Sequence, residues 1–206
     1  MSLEITRVLC GMIQENAYVV SVAGRRDCAV IDPGDDFPAL KRAVGERQLG
    51  AILLTHGHFD HILGAGPLAR ETGAPVYVAA EDAEMLGDAR LNGYAHLMGV
   101  HEMPGPALQP RAYGERLSVC GMTFDILRTP GHSKGSVCLY LAGEGVLFSG
   151  DTLFCAGYGR LDLHGGDAGA MLQSLKALFE LPGGVKVLSG HGEATTIGEE
   201  RARYRL

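Results

Sequence analysis

Between Thr55 and His61 the chain sets three imidazoles and a carboxylate, His56, His58, Asp60 and His61, within six positions. Imidazole and carboxylate at that density suit zinc, iron or manganese. A solvated polar loop with scattered histidines would have the same composition. The segment, however, directly follows the apolar run Ala51-Ile52-Leu53-Leu54. A buried strand end would fix it rigidly, and a turn at Gly57 would let alternate side chains converge. Three further segments repeat the device. Thr129-Pro130-Gly131-His132-Ser133 places a histidine at a tight turn after a strand-like run. Ser149-Gly150-Asp151-Thr152 follows Val146-Leu147-Phe148, and Ser189-Gly190-His191-Gly192 follows Lys186-Val187-Leu188. Each puts one ligand-type residue at the C-terminal end of an apolar run, beside glycine. Strand ends on one edge of a sheet meet in space although they lie far apart in sequence. Together the four segments point to one metal site.

The elements that must position them alternate strand and helix signals. Leu3 to Cys10, Ala17 to Val22 and Cys28 to Ile31 read as strands, and Asp32-Pro33-Gly34 as a turn. Helical spacing follows over Phe37 to Val44, and Ala51 to Leu54 reads as a strand covered on both faces. A second cycle gives helix over Pro67 to Thr72, strand over Pro75 to Ala79 and a short helix over Glu81 to Gly87. Asp88 to Pro110 reads as a long loop, of a length that is usually functional or mobile. Strands return at Arg116 to Cys120, Met122 to Leu127, Ser136 to Leu141 and Gly145 to Phe148. A helix over Asp167 to Leu181 and a last strand at Lys186 to Leu188 complete the reading. Repeated strand-then-helix order suggests two packed sheets with helices outside.

Bulk properties narrow the function. With 206 residues, one domain spanning 1–206 is expected to hide roughly 70–75% of its unfolded surface. A net charge of −6 without a basic cluster argues against nucleic acid or an anionic membrane as partner. No apolar run approaches the roughly 20 residues that span a bilayer, and Met1-Ser2-Leu3-Glu4-Ile5 lacks a signal-peptide pattern. The cysteines, Cys10, Cys28, Cys120, Cys138 and Cys155, are odd in number with no CxxC pair. Four sit in apolar contexts and read as buried free thiols, which fits a reducing cytoplasm.

The succession HxHxDH, PGHSxGS, SGDTLF and GHG, from Thr55 to Gly192, resembles the metallo-β-lactamase superfamily. Asn16-Ala17-Tyr18 and Val30-Ile31-Asp32-Pro33-Gly34 match its opening strands. The resemblance implies an α+β fold: a four-layer αββα sandwich of two mixed β-sheets with helices outside. It implies that His56, His58 and His132 hold one metal, that Asp60, His61 and His191 hold a second, and that Asp151 bridges them. The implied cofactors are two divalent ions, zinc first, with iron and manganese as alternatives. Two such ions roughly 3.5–4 Å apart share a water and lower its pKa to about 7 or below. The bridging hydroxide would attack an acyl carbon, with Asp60 also orienting the nucleophile. A thioester suits this chemistry because a thiolate leaves without a general acid. Asp32 is a candidate for orienting an imidazole, or is a turn residue only.

Within the superfamily, Gly159-Arg160-Leu161-Asp162 with Gly166-Asp167, and the ending Thr195-Thr196-Ile197-Gly198-Glu199-Glu200-Arg201, resemble the short, single-domain glyoxalase II-like (hydroxyacylglutathione hydrolase) group. That implies hydrolysis of a small thioester such as S-lactoylglutathione, with Arg160 as a candidate contact for a substrate carboxylate. Two-domain glyoxalase II enzymes follow the basic residue with an aromatic pair that contacts glutathione; Leu161-Asp162 stands there instead. Persulfide dioxygenases share the Gly-Arg-x-Asp element, so a mononuclear iron dioxygenase acting on glutathione persulfide is the alternative. Outside the motifs, His96, His101 and His164 read as surface histidines, and Tyr94, Met98 and Met103 as lid or packing residues of the long loop.

Overall fold

The computed structural model describes residues 2–105 and 107–204. Met1 of the N-terminal reading and Pro106 of the long loop lie outside them. The first sheet opens with a hairpin of β1 (Leu3–Cys10) and β2 (Glu15–Val22), paired from Leu3↔Val22 to Cys10↔Glu15. β3 (Asp27–Ile31) joins antiparallel, and then β4 (Gln48–Leu53), β5 (Val76–Val78) and β6 (Arg111–Ala112) add in parallel. Parallel neighbours need crossovers. These are α1 (Phe37–Val44) before β4, then α2 (Phe59–Ile62) and α3 (Ala65–Thr72) before β5. Before β6 come a 3-10 helix (Ala80–Leu86) and α4 (Tyr94–Met98).

The second sheet runs β12-β11-β10-β9-β8-β7 in space. Its strands are β7 (Arg116–Val119), β8 (Met122–Arg128), β9 (Val137–Leu141), β10 (Val146–Gly150), β11 (Lys186–Ser189) and β12 (Thr195–Thr196). β10 and β11 are its one parallel pair, bridged by α5 (Ala168–Phe179); α6 (Ile197–Tyr204) follows β12.

Three apolar layers explain why the central strands are apolar at consecutive positions. Ala51 and Leu53 of β4 meet Phe124, Leu139 and Phe148 between the sheets. Their neighbour Ile52, with Leu54 just past the strand, faces outward under Leu40, Ile62 and Leu68 of α1–α3. In β10, Phe148 points between the sheets, whereas Leu147 packs outward on Met171, Leu175 and Leu178 of α5. Helices thus cover the outer face of each sheet, giving the αββα sandwich. Helix starts follow from side chains: Asp36 accepts from the Ala39 N–H at 3.0 Å, and Asp167 from the Ala170 N–H at 2.8 Å. Among the described residues, no helix is long and apolar enough to cross a membrane.

The segment 88–110, expected as loop, contains α4. Five residues between Gly93 and Gly99, with no side-chain cap, leave no sequence signature of a helix. β12 and α6 had no expectation either; β12 is two residues long and α6 is mostly polar.

Phe148 is 1% exposed and meets the Tyr18 ring edge-on at 5.3 Å, joining the two sheets. Phe148→Ala is expected to lower the unfolding free energy by about 3–5 kcal/mol, measured by urea denaturation. A loss well under ~1 kcal/mol would show that the layer closes over the void.

Candidate metal centre

The four motif segments converge at one edge of the sandwich. Just past β4, the Thr55 N–H and hydroxyl donate to Asp32 at 2.7 and 2.6 Å. Because that hydroxyl is committed as a donor, its oxygen accepts from Nδ1 of His56, 3.0 Å away. His56 therefore turns a bare Nε2 into the centre. The same Asp32 carboxylate lies 3.0 Å from His61 Nδ1, which fixes the proton there and again leaves Nε2 bare. Asp32 was expected either to orient a ring or to make a turn; it does both, with φ at +46°.

α2 is a single turn that brings Asp60 and His61 round from the path of His56 and His58. His132, in the turn after β8, has its Nδ1 2.7 Å from the Arg160 backbone carbonyl. A carbonyl only accepts, so His132 Nε2 is the free nitrogen, and it sits 2.7 Å from His58 Nδ1. From the end of β10, Asp151 lies 3.3 Å from His61 Nε2, 3.5 Å from His132 Nε2 and 3.7 Å from His191 Nε2. Asp60 Oδ2 lies 3.2 Å from His191 Nε2 and 3.7 Å from His61 Nε2.

All seven expected ligand residues are therefore brought together. His56, His58 and His132 form one group able to hold a cation, and Asp60, His61 and His191 a second, with Asp151 between. Asp32, His56 and His61 make a third close group. The Asp32 oxygens are already engaged by Thr55 and His61, which makes Asp32 a support rather than a ligand. His56 Nε2, His61 Nε2 and Asp151 Oδ1 are buried without a hydrogen-bond partner. Buried polar atoms are rarely left so, and here two of them, His61 Nε2 and Asp151 Oδ1, lie 3.3 Å apart.

Electrostatics agree with this donor set. Burial and the neighbouring imidazoles push His56 well down, and push His58 down to about 3, so both rings keep neutral lone pairs. Burial alone would raise the carboxyls of Asp60 and Asp151. His61 and His191 overcome it at Asp60, and these two with His132 at Asp151, so both stay ionised. His61 is driven the other way: burial lowers it, but Asp60, Asp151 and Asp32 raise it well above the usual range. Three carboxylates around that ring demand a positive charge, supplied by a proton or by a metal ion. Neutral imidazoles, ionised carboxylates and that demand fit a divalent cation.

A cavity of about 280 Å³ opens onto this cluster, with Ile13, Leu97, Phe154 and Leu163 at its mouth. Another cavity, of about 400 Å³, lies between Ile62, Leu86 and Met103 and holds none of the seven residues. Arg160 borders the first cavity, but its side chain is exposed and paired to Asp162 through two 2.7 Å contacts. His96, His101 and His164 are exposed, as expected of surface histidines. Tyr94 stacks obliquely on Phe59 at 5.5 Å, while Met103 accepts from Asn92 Nδ2 and packs on the core.

A model of the metallo-β-lactamase superfamily matches residues 10–191. The chain belongs to this superfamily. The solved structure of BLEG-1, a B3 metallo-β-lactamase, matches it with a TM-score of 0.89 at 39% identity, covering 97% of each chain. TTHA1623 in a di-iron-bound form matches with a TM-score of 0.82 at 38% identity, over 96% of this chain and 97% of its own. The hydroxyacylglutathione hydrolase GloC of Haemophilus influenzae is 33% identical over 85% of each chain.

Two buried acids of this superfamily member went unmarked by any motif. Glu15 stands behind His61, its Oε1 3.8 Å from Nδ1, and burial pushes its carboxyl well above the usual range. Asp82, in the 3-10 helix, accepts from the Gly57 N–H at 3.0 Å, the Gly135 N–H at 2.7 Å and the Ser133 hydroxyl at 2.6 Å. It thereby ties the His56–His58 loop to the His132 loop. Its only sequence signal is an acid in a helix first turn, which is commonplace. Asp82→Ala strands these donors, at about 1–3 kcal/mol for each buried group. A lower urea midpoint is expected; an unchanged one would show that water replaces the carboxylate.

Proposed function

We propose that the protein is a binuclear metal-dependent hydrolase that cleaves a small thioester. The observation that carries this reading is the convergence of bare imidazole nitrogens and two ionised carboxylates in one cluster, of which His58, Asp60, His132, Asp151 and His191 line the cavity. His56, His58 and His132 would hold one ion and Asp60, His61 and His191 the other, with Asp151 placed between the two groups. Zinc is the first choice, and iron or manganese the alternatives; the di-iron relative supports iron. Two divalent ions bound there would acidify a water and polarise a substrate carbonyl.

The protein's own groups do the rest. The Asp60 carboxylate, kept ionised by His61 and His191, accepts a hydrogen bond from the attacking water and aims it. Asp32 and the Arg160 carbonyl hold the imidazoles in their tautomers. The apolar mouth limits competing water around the scissile bond. A thiolate departs unprotonated, so no acid is required opposite Asp60. The hydroxyacylglutathione hydrolase among the relatives supports the thioester assignment. Arg160 is the rim cation for a substrate carboxylate, and it must share its guanidinium with Asp162 to serve. Four buried free cysteines, Cys10, Cys28, Cys120 and Cys138, support a reducing cytoplasm.

Metal content per chain, measured beside S-lactoylglutathione hydrolysis, tests the proposal. About two metals with turnover is the expected result, and Asp151→Ala should lose metal and turnover together. Normal hydrolysis by that variant would sink the binuclear assignment. One iron with oxygen uptake on glutathione persulfide would make the protein a dioxygenase. Opening of a β-lactam in place of thioester cleavage would move it to the lactamases.

A further inference from the structure

The catalytic cavity does not end at the metal ligands. Ile13, Phe59 and Asp60 each line a second, smaller cavity as well, whose other walls include Cys10, Met12, Asp35, Leu63, Tyr94 and Met98. The two spaces share a partition and together run between the tip of the β1–β2 hairpin and α4. Among the described residues, no Lys, Arg or His lines the smaller one, and the acids that do are Asp35 and Asp60. Arg160 borders the first cavity alone. Met12 is 84% exposed, with Ile13 and Met98 both above 40%. Large apolar side chains left open around a cavity mark a place where apolar surface binds.

We propose that this smaller cavity, of about 60 Å³, takes the end of a short apolar acyl chain, so that the preferred thioesters carry linear acyl groups longer and less polar than lactoyl. The inference rests on the thioester reading above. With the carbonyl at the metal ligands, one arm of the substrate must pass Ile13 toward Tyr94 and Met98, and the other must pass Arg160. An anionic arm would meet the Asp35 and Asp60 carboxylates on the first path with no cation beside it, and burial there would strip a polar arm of water for few partners in return. A polar thiol half can remain at the open rim beside Arg160. The acyl half therefore takes the apolar side.

The test is calorimetric binding of straight-chain carboxylates, acetate to octanoate, to the zinc-loaded protein, since these are the acids the hydrolysis would release. Affinity is expected to rise about fourfold per methylene until the cavity is filled. Ile13→Asp and Met98→Asp should each flatten that dependence. A flat series in the parent protein overturns the proposal, and so does a rising series that neither substitution alters. Hydrolysis of S-acetyl- and S-octanoyl-N-acetylcysteamine is measured in parallel. Rising affinity without any thioester turnover sinks the thioester reading and leaves the apolar cavity standing. Turnover of both thioesters at equal efficiency, with flat binding, does the reverse.

Discussion

One buried carboxylate governs how the metal-type side chains present themselves. Asp32 is 2% exposed, and a carboxylate taken out of water costs several kcal/mol unless donors replace the solvent. Here the donors are the Thr55 N–H, the Thr55 hydroxyl and His61 Nδ1. The same three bonds set the tautomers of His56 and His61, because each ring must put its proton on the outer nitrogen. Asp32 reaches them from a left-handed backbone conformation just past β3, its own N–H donating across to the Leu53 carbonyl of β4 at 3.0 Å. β3 and β4 are parallel neighbours, so adjacent strand ends build both the support and the motif it supports.

The other motif loops are likewise held from outside their own strands. Asn16 Nδ2 donates to the Ser189 and Gly192 carbonyls, and the Tyr18 hydroxyl to that of Ser189, so the first sheet anchors the His191 loop of the second. Asp82 links the loops of His58 and His132. Packing between these loops is close enough to forbid side chains. A Cβ on Gly150, at φ +48°, would stand 2.3 Å from Thr55 Oγ1, and one on Gly131 2.5 Å from the Met171 backbone. Gly57, Gly131, Gly150 and Gly190, each beside a ligand, are consequences of crowding around a buried centre, where a displaced loop would misplace a nitrogen.

That crowding is why the centre was legible in the sequence. A ligand at a strand end, beside a glycine and after an apolar run, is a local pattern, and it recurs for His56, His132, Asp151 and His191. The sandwich was legible through the resemblance those motifs carry, since strand and helix periods alone give only mixed α and β. Asp82 was not, because its role depends on three donors from segments 25 and more than 50 residues away. α4 was not, because five residues between glycines carry no period. Arg160 was picked for its charge, yet the contact it makes with the centre is through its backbone carbonyl, which any residue supplies.

This division between legible and illegible parts follows the division between chemistry and selectivity. A B3 metallo-β-lactamase and a hydroxyacylglutathione hydrolase both resemble the chain over most of its length. Likeness at that level does not choose a substrate, because fold and function vary separately. The choice must lie in what borders the centre without building it. Those borders are the 11–14 hairpin tip, α4 and the 154–163 segment, which contribute Ile13, Leu97, Phe154 and Leu163 to the cavity mouth. Their exposed positions cost the core little to change, whereas the residues behind the imidazoles are locked by hydrogen bonds and volume. Arg160 illustrates the boundary within one residue: its carbonyl is fixed against His132, while its side chain, tied to Asp162 at the surface, is free to differ. A metal centre built once from buried strand ends can therefore serve different substrates, with the apolar rim deciding which arm of a substrate is sheltered from water.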